Sequence, residues 1–188
     1  MKKTIKLAVL ALATLTMGSV MTSCDEVTNL IQQLFNPGET YTYTGTGEAY
    51  TMNGSSKTGE WQLINENKTA LTSAQVVLKC GSNTGTITLP NITDGKASMQ
   101  NVVIYNLALN NENASKTTFD FGENTSIDGS LVIDGKTYTA ANLYIEQEKT
   151  YVTTTKMVLE FSIYFDDDED GDYSKVVNFT YEGAAASE

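Results

Sequence analysis

Along most of the chain apolar and polar residues alternate one for one, and only near the start is the spacing different. Over 156–165, Met157, Leu159, Phe161, Ile163 and Phe165 share one face while Glu160, Ser162 and Tyr164 take the other, the mark of a strand with one side in a core. Val177, Phe179 and Tyr181 continue the rule beyond the next turn. The same period of two predicts strands over 40–52, 58–65, 70–80, 84–89, 97–109, 116–121, 127–133, 136–147, 151–165 and 174–182, rich in Thr, Val, Tyr, Phe and Ile. Turn-forming residues separate them: Asn53-Gly54, Gly81-Ser82-Asn83, Asp94-Gly95, Asn110-Asn111, Asp134-Gly135 and the acidic run 166–172. Short connections make an antiparallel meander, and a long meander must close to hide its edges. The expected fold is therefore all-β, an up-and-down barrel of about eight strands over 40–182.

The start of the chain reads differently. Lys2, Lys3 and Lys6 precede the apolar run Leu7 to Leu15, which is short for a membrane span, and small residues lead to Cys24. Val20-Met21-Thr22-Ser23-Cys24 resembles a bacterial lipobox, with Met21 where Leu is usual, so 1–23 is read as a lipoprotein signal peptide and Cys24 as the acylated anchor to a lipid bilayer. The other reading is an ordinary signal peptide that leaves Cys24 near the mature N-terminus, where it could bond to Cys80. Within the anchored segment 24–39, Val27, Leu30, Ile31, Leu34 and Phe35 have helical spacing over 25–36, with acids in the first turn and Pro37-Gly38 as the stop. A transmembrane barrel would carry the strand alternation turned inside out; the lipobox cysteine and the polar tail 183–188 favour a soluble one.

Composition narrows the chemistry. All twelve cationic residues are Lys, and the chain has neither Arg nor His, so bidentate phosphate clamps, imidazole acid–base chemistry and His-ligated metals lack their parts. From Cys24 onward nine lysines face twenty-three acids, a net charge of −14 that repels nucleic acid and anionic surfaces. No catalytic constellation emerges, and the expectation is a protein that is not an enzyme. Cys80 alternates with Ala74, Val76 and Leu78 and reads as a small buried hydrophobe.

Taken together, the lipobox, the helix and the single meander of Thr- and Tyr-rich strands resemble the calycin-like (lipocalin-like) lipoproteins of the Bacteroidota. The stretches that carry the resemblance are Tyr41-Thr42-Tyr43-Thr44-Gly45, Thr86-Ile87-Thr88-Leu89-Pro90-Asn91-Ile92 before Asn101-Val102-Val103-Ile104, and Gly129-Ser130-Leu131-Val132-Ile133. Gly59-Glu60-Trp61 also matches the Gly-x-Trp of lipocalins, where the Trp seals one barrel end beneath an Arg that this chain does not have. The resemblance implies an eight-stranded barrel around an apolar interior, anchored at the outer membrane.

Two candidate sites follow. Trp61, Tyr105, Phe119, Phe161 and Ile163 are large apolar residues able to line a barrel lumen holding one small ligand, or to fill a packed core. In the acidic run, Asp166, Asp168, Asp170 and Gly171 reproduce the first half of a calcium loop, with the Asp172 carbonyl as a further oxygen; Val177 stands where the bidentate Glu belongs. The same run also suits a solvated hairpin tip. The functional expectation is an envelope-anchored binding or accessory module for a small apolar ligand or an envelope protein, and the alternative is a structural or adhesive protein with a solid core.

Overall fold

The computed structural model describes residues 35–186 apart from 66–67, 114–115, 123 and 167–171. The expected signal peptide, Cys24 and the expected helix as far as residue 34 lie outside the described residues. Twelve strands succeed one another: β1 (Thr40–Ser55), β2 (Glu60–Leu63), β3 (Thr69–Cys80), β4 (Thr84–Thr88), β5 (Ile92–Asp94), β6 (Ala97–Asn113), β7 (Lys116–Asp120), β8 (Ser126–Ile133), β9 (Lys136–Ile145), β10 (Tyr151–Val152), β11 (Lys156–Asp166) and β12 (Lys175–Ala185). A 3-10 turn, Gln147–Lys149, joins β9 to β10.

Every pairing is antiparallel, and eight strands close a ring in chain order, β1-β3-β4-β6-β8-β9-β11-β12 and back to β1. This is the barrel that the alternation and the short turns require. The remaining strands share positions already in the ring. β2 follows β3 along the edge of β1, and β5 follows β4 along β6. Likewise β7 and β8 divide the edge of β6, while β9 and β10 divide the edge of β11.

Several boundaries differ from the sequence expectation, each for a local reason. The stretch 151–165 is not one strand, because the Thr153 hydroxyl accepts the Lys156 N–H at 2.9 Å and the Thr155 N–H at 3.2 Å, building a turn out of a β-prone threonine run. Asn53-Gly54 is not a turn: Gly54 lies in β1 opposite Trp61, where a Cβ would meet the Glu60 carbonyl, and the chain reverses after Ser55 instead. Asn110-Asn111 is not a turn either, since β6 runs on to Asn113 through a bulge against β7. Nor is 183–185 a free tail, because Gly183, Ala184 and Ala185 pair with Gly45, Thr44 and Tyr43. Gly45 and Gly183 are required there: a Cβ on Gly45 would strike the Glu182 carbonyl, and one on Gly183 the Tyr181 ring.

The inner faces of the strands form one hydrophobic cluster that runs the length of the barrel, from Tyr43, Leu78 and Ile87 to Phe119, Phe161, Phe165 and Phe179. Two phenols inside it are satisfied by backbone. Tyr181 donates to the Tyr43 carbonyl at 2.7 Å, and Tyr43 donates to the Thr153 carbonyl at 2.8 Å. On β11 the apolar face is turned inward and Glu160, Ser162 and Tyr164 outward, the reverse of the arrangement in a transmembrane barrel.

Phe161 lies between β9 and β12 with 1% of its surface exposed. Phe161→Ala should lower the unfolding free energy by about 3–5 kcal/mol, with the slope of the urea transition unchanged. A loss below about 1 kcal/mol would mean that the side chain is not packed as described.

Candidate functional site

The residues expected to line a lumen divide into two groups. Phe119, Phe161 and Ile163 are buried together in the core cluster. Trp61 and Tyr105 are half-buried and lie outside that cluster. Trp61 sits on the outer wall, its ring 6.0 Å from that of Tyr164, which in turn lies 5.7 Å from Tyr173. It reaches the wall because β2 extends the sheet beyond β3 along β1, a displacement that strand alternation does not reveal.

Cys80 is buried at the end of β3, and burial together with nearby Glu39 pushes its thiol up to about 11. Burial likewise raises Tyr181 to about 12, and Tyr41 to about 12 with help from its 2.6 Å hydrogen bond to Glu39. Tyr43 is raised further still by burial. Cys80, Tyr43 and Tyr181 are held neutral inside a packed barrel, and a thiol so placed is a poor nucleophile.

At the opposite end of the barrel stand the flanks of the acidic run. Asp166 is buried at the end of β11, Asp168 and Asp170 lie outside the described residues, and Asp172 turns to the β1–β2 hairpin. Its carboxylate accepts from the Ser55 hydroxyl at 2.7 Å, the Ser56 hydroxyl at 2.9 Å and the Lys57 N–H at 3.1 Å, and these bonds, Ser55 first, hold it below the usual carboxylate range. Among the described residues no three acidic or cysteine side chains come together as a metal would require.

The wall parts at the β8–β9 seam. β8 and β9 pair over four residues, Ile133↔Lys136 to Ser130↔Thr139, and then part. Farther along, β7 and β10 pair at Thr118↔Tyr151 and Thr117↔Val152. Between these two ladders lies a cleft of about 330 Å³, lined by Phe121, Thr125, Ile127, Ala141, Asn142 and Leu143. Phe121 is 48% exposed at its rim. A neighbouring cleft of about 380 Å³ beside β7 is polar and is crossed by the Gln147–Asp120 hydrogen bond of 2.9 Å. Alternation says nothing of which neighbours pair; the one local signal of the opening is the change of phase in β9, from Tyr138 and Ala140 to Leu143 and Ile145, that marks the bulge.

Against known proteins the chain finds no counterpart: no family model, no curated protein and no solved structure matches it.

The raised phenol and thiol values have a consequence with a definite sign. Between the ordinary and the raised value of each group the unfolded chain has released a proton that the folded chain keeps, so stability is complete below the unfolded value and falls as pH climbs. The fall should begin near the ordinary thiol value of 9.0 and steepen above the ordinary tyrosine value of 10.0. In Cys80→Ala the onset should move up to the tyrosine range; urea midpoints taken across this interval check it, and a flat profile contradicts the burial of these groups.

Proposed function

We propose that this chain is an envelope lipoprotein, similar to the calycin-like lipoproteins, that is anchored through acylated Cys24 and works as a non-enzymatic binding module through the outer wall of its barrel. The packed interior carries this reading: the inner faces of the ring belong to one hydrophobic cluster, with Phe119, Phe161 and Ile163 at 1%, 1% and 0% exposure, and the two clefts described above lie on the wall. A barrel packed in this way leaves recognition to its surface.

The anchor reading rests on the basic start, the apolar run Leu7 to Leu15 and the sequence Cys24-Asp25-Glu26. The chain enters the barrel beside the end of β3, where the Gly38 N–H donates to the Cys80 carbonyl at 2.7 Å and the Cys80 N–H to the Glu39 carbonyl at 2.9 Å. The partner belonging to such a tether is another component of the envelope.

Two measurements test the proposal. Cys24→Ser should shift the protein from the membrane fraction to a soluble or unprocessed form. Native mass spectrometry of the protein purified from its own host should show no tightly held small molecule; one apolar molecule per chain would restore the carrier reading in its place.

A further inference from the structure

We infer that the open stretch of the β8–β9 seam is a site for strand addition, taking an extended segment of a partner polypeptide in which apolar and basic side chains alternate. This deepens the reading of the barrel as a module that binds through its wall, and it rests on that reading.

The opening is built from both sides. On β8, the pairing with β6 shifts between Gln100 and Val103, and Gly129 sits at that point with φ +140°, where a Cβ would press on the Val102 side chain at 2.7 Å. On β9, the pairing with β11 shifts between Tyr164 and Phe165 as Ala141 is bulged out between Ala140 and Asn142. The extra residue lies on β6 in the first case and on β9 in the second, so the seam parts where both flanking ladders are irregular. The result is two strand edges facing one cleft, 126–129 on β8 and 140–145 on β9, each paired on its far side with β6 or β11. Alternate residues on such an edge present N–H and C=O groups to whatever lies alongside. One of these amides already takes a substitute partner: the Leu143 N–H donates to Oδ1 of its own neighbour Asn142 at 2.8 Å.

The chemistry of the cleft selects the occupant. Backbone groups in strand geometry are matched by another extended backbone, and the alternation of the pleat sends every second side chain inward. Inward lie Ile127 and Leu143 with Phe121 at the rim, which suit apolar side chains. Outward, Asp128 is exposed on β8, the neighbouring cleft is lined by Asp120 and Glu148 with Lys116, and Lys149 is already paired with Glu160 at 3.0 Å. The field there is acidic on a protein of net charge −11, so the outward side chains of the occupant are basic.

The test uses the full chain in mild detergent and a synthetic peptide of alternating Lys and Val, about eight residues long, capped at both ends. Hydrogen exchange in segments 126–129 and 140–145 should slow about tenfold at saturating peptide. A peptide N-methylated at every second amide, and one with Glu in place of Lys, should bind at least about tenfold more weakly. Phe121→Ala should weaken binding about fivefold with the melting temperature unchanged, and Asn142→Ala should strengthen it by removing the internal competitor for the Leu143 amide. Equal binding of the N-methylated peptide, no change in exchange, or protection confined to the 69–76 edge of β3 would overturn the proposal. So would free-state protection of 126–129 and 140–145 equal to that of β11, or a dimer abolished by Ile127→Pro, which would make the occupant a second copy. A small molecule found by native mass spectrometry would sink the wall reading instead, whatever these exchange data show.

Discussion

β1 and β12 stand at opposite ends of the described chain, yet they pair continuously from Tyr43↔Ala185 to Asn53↔Lys175. Until that ladder forms, the sheet has two long open edges and its apolar face has nothing to enclose. Closing it brings together segments separated by nearly the whole domain, an entropy cost that local turns do not share, so the barrel belongs among the topologies that fold slowly. The close approach of the two strands is written into the sequence at Gly45, Gly47 and Gly183, where a Cβ would collide with the opposing strand or with the Tyr181 ring. Across the same joint, Tyr181 passes its hydroxyl to the Tyr43 carbonyl and lies 3.2 Å from the Ala74 carbonyl, linking the last strand to the first and third.

The parts of this architecture that could be read from the sequence are those governed by a residue's own strand. Alternation on β11 and β12 identified the buried face residue by residue, and Asp134-Gly135 turns where its chemistry says it should, whereas Asp94 ends β5 and the turn is Gly95-Lys96, one residue on. What could not be read depends on neighbours distant in the chain. Trp61 looked like a lumen residue because large aromatics usually go inward, but β2 runs past the end of β3 and sets it on the wall against Tyr164. Thr153 looked like strand because threonine favours strands, until its hydroxyl is seen to cap a turn. Nothing local announces that the Asp172 carboxylate closes the tip of a hairpin more than a hundred residues earlier. In each case tertiary context outweighed local preference.

The division of four ring positions between pairs of strands explains how a full interior coexists with an open wall. A barrel of uniform strands would pair along every seam and offer no free edge. Here β6 and β11 are the continuous staves, and the wall between them is made of β8–β9 toward one end and β7–β10 toward the other. The two ribbons bend independently, so each packs its inward residues, Leu131 and Tyr138 in one and Phe119 and Val152 in the other, without being held in one continuous ladder. The cost is a stretch of backbone that no described strand covers.

An uncovered edge on a folded protein invites association with whatever strand comes by, and natural sheets blunt such edges with charge, bulges or side-chain caps. All three are present at this seam: Asp128 projects from one edge, a bulge kinks each flanking ladder, and Asn142 turns its own amide oxygen onto the neighbouring N–H. Against another copy of this acidic chain the charges repel; against a basic segment the same charges attract. A guarded edge of this kind discriminates by sign, and sign is a property that an edge sealed by proline or covered by a helix would lack.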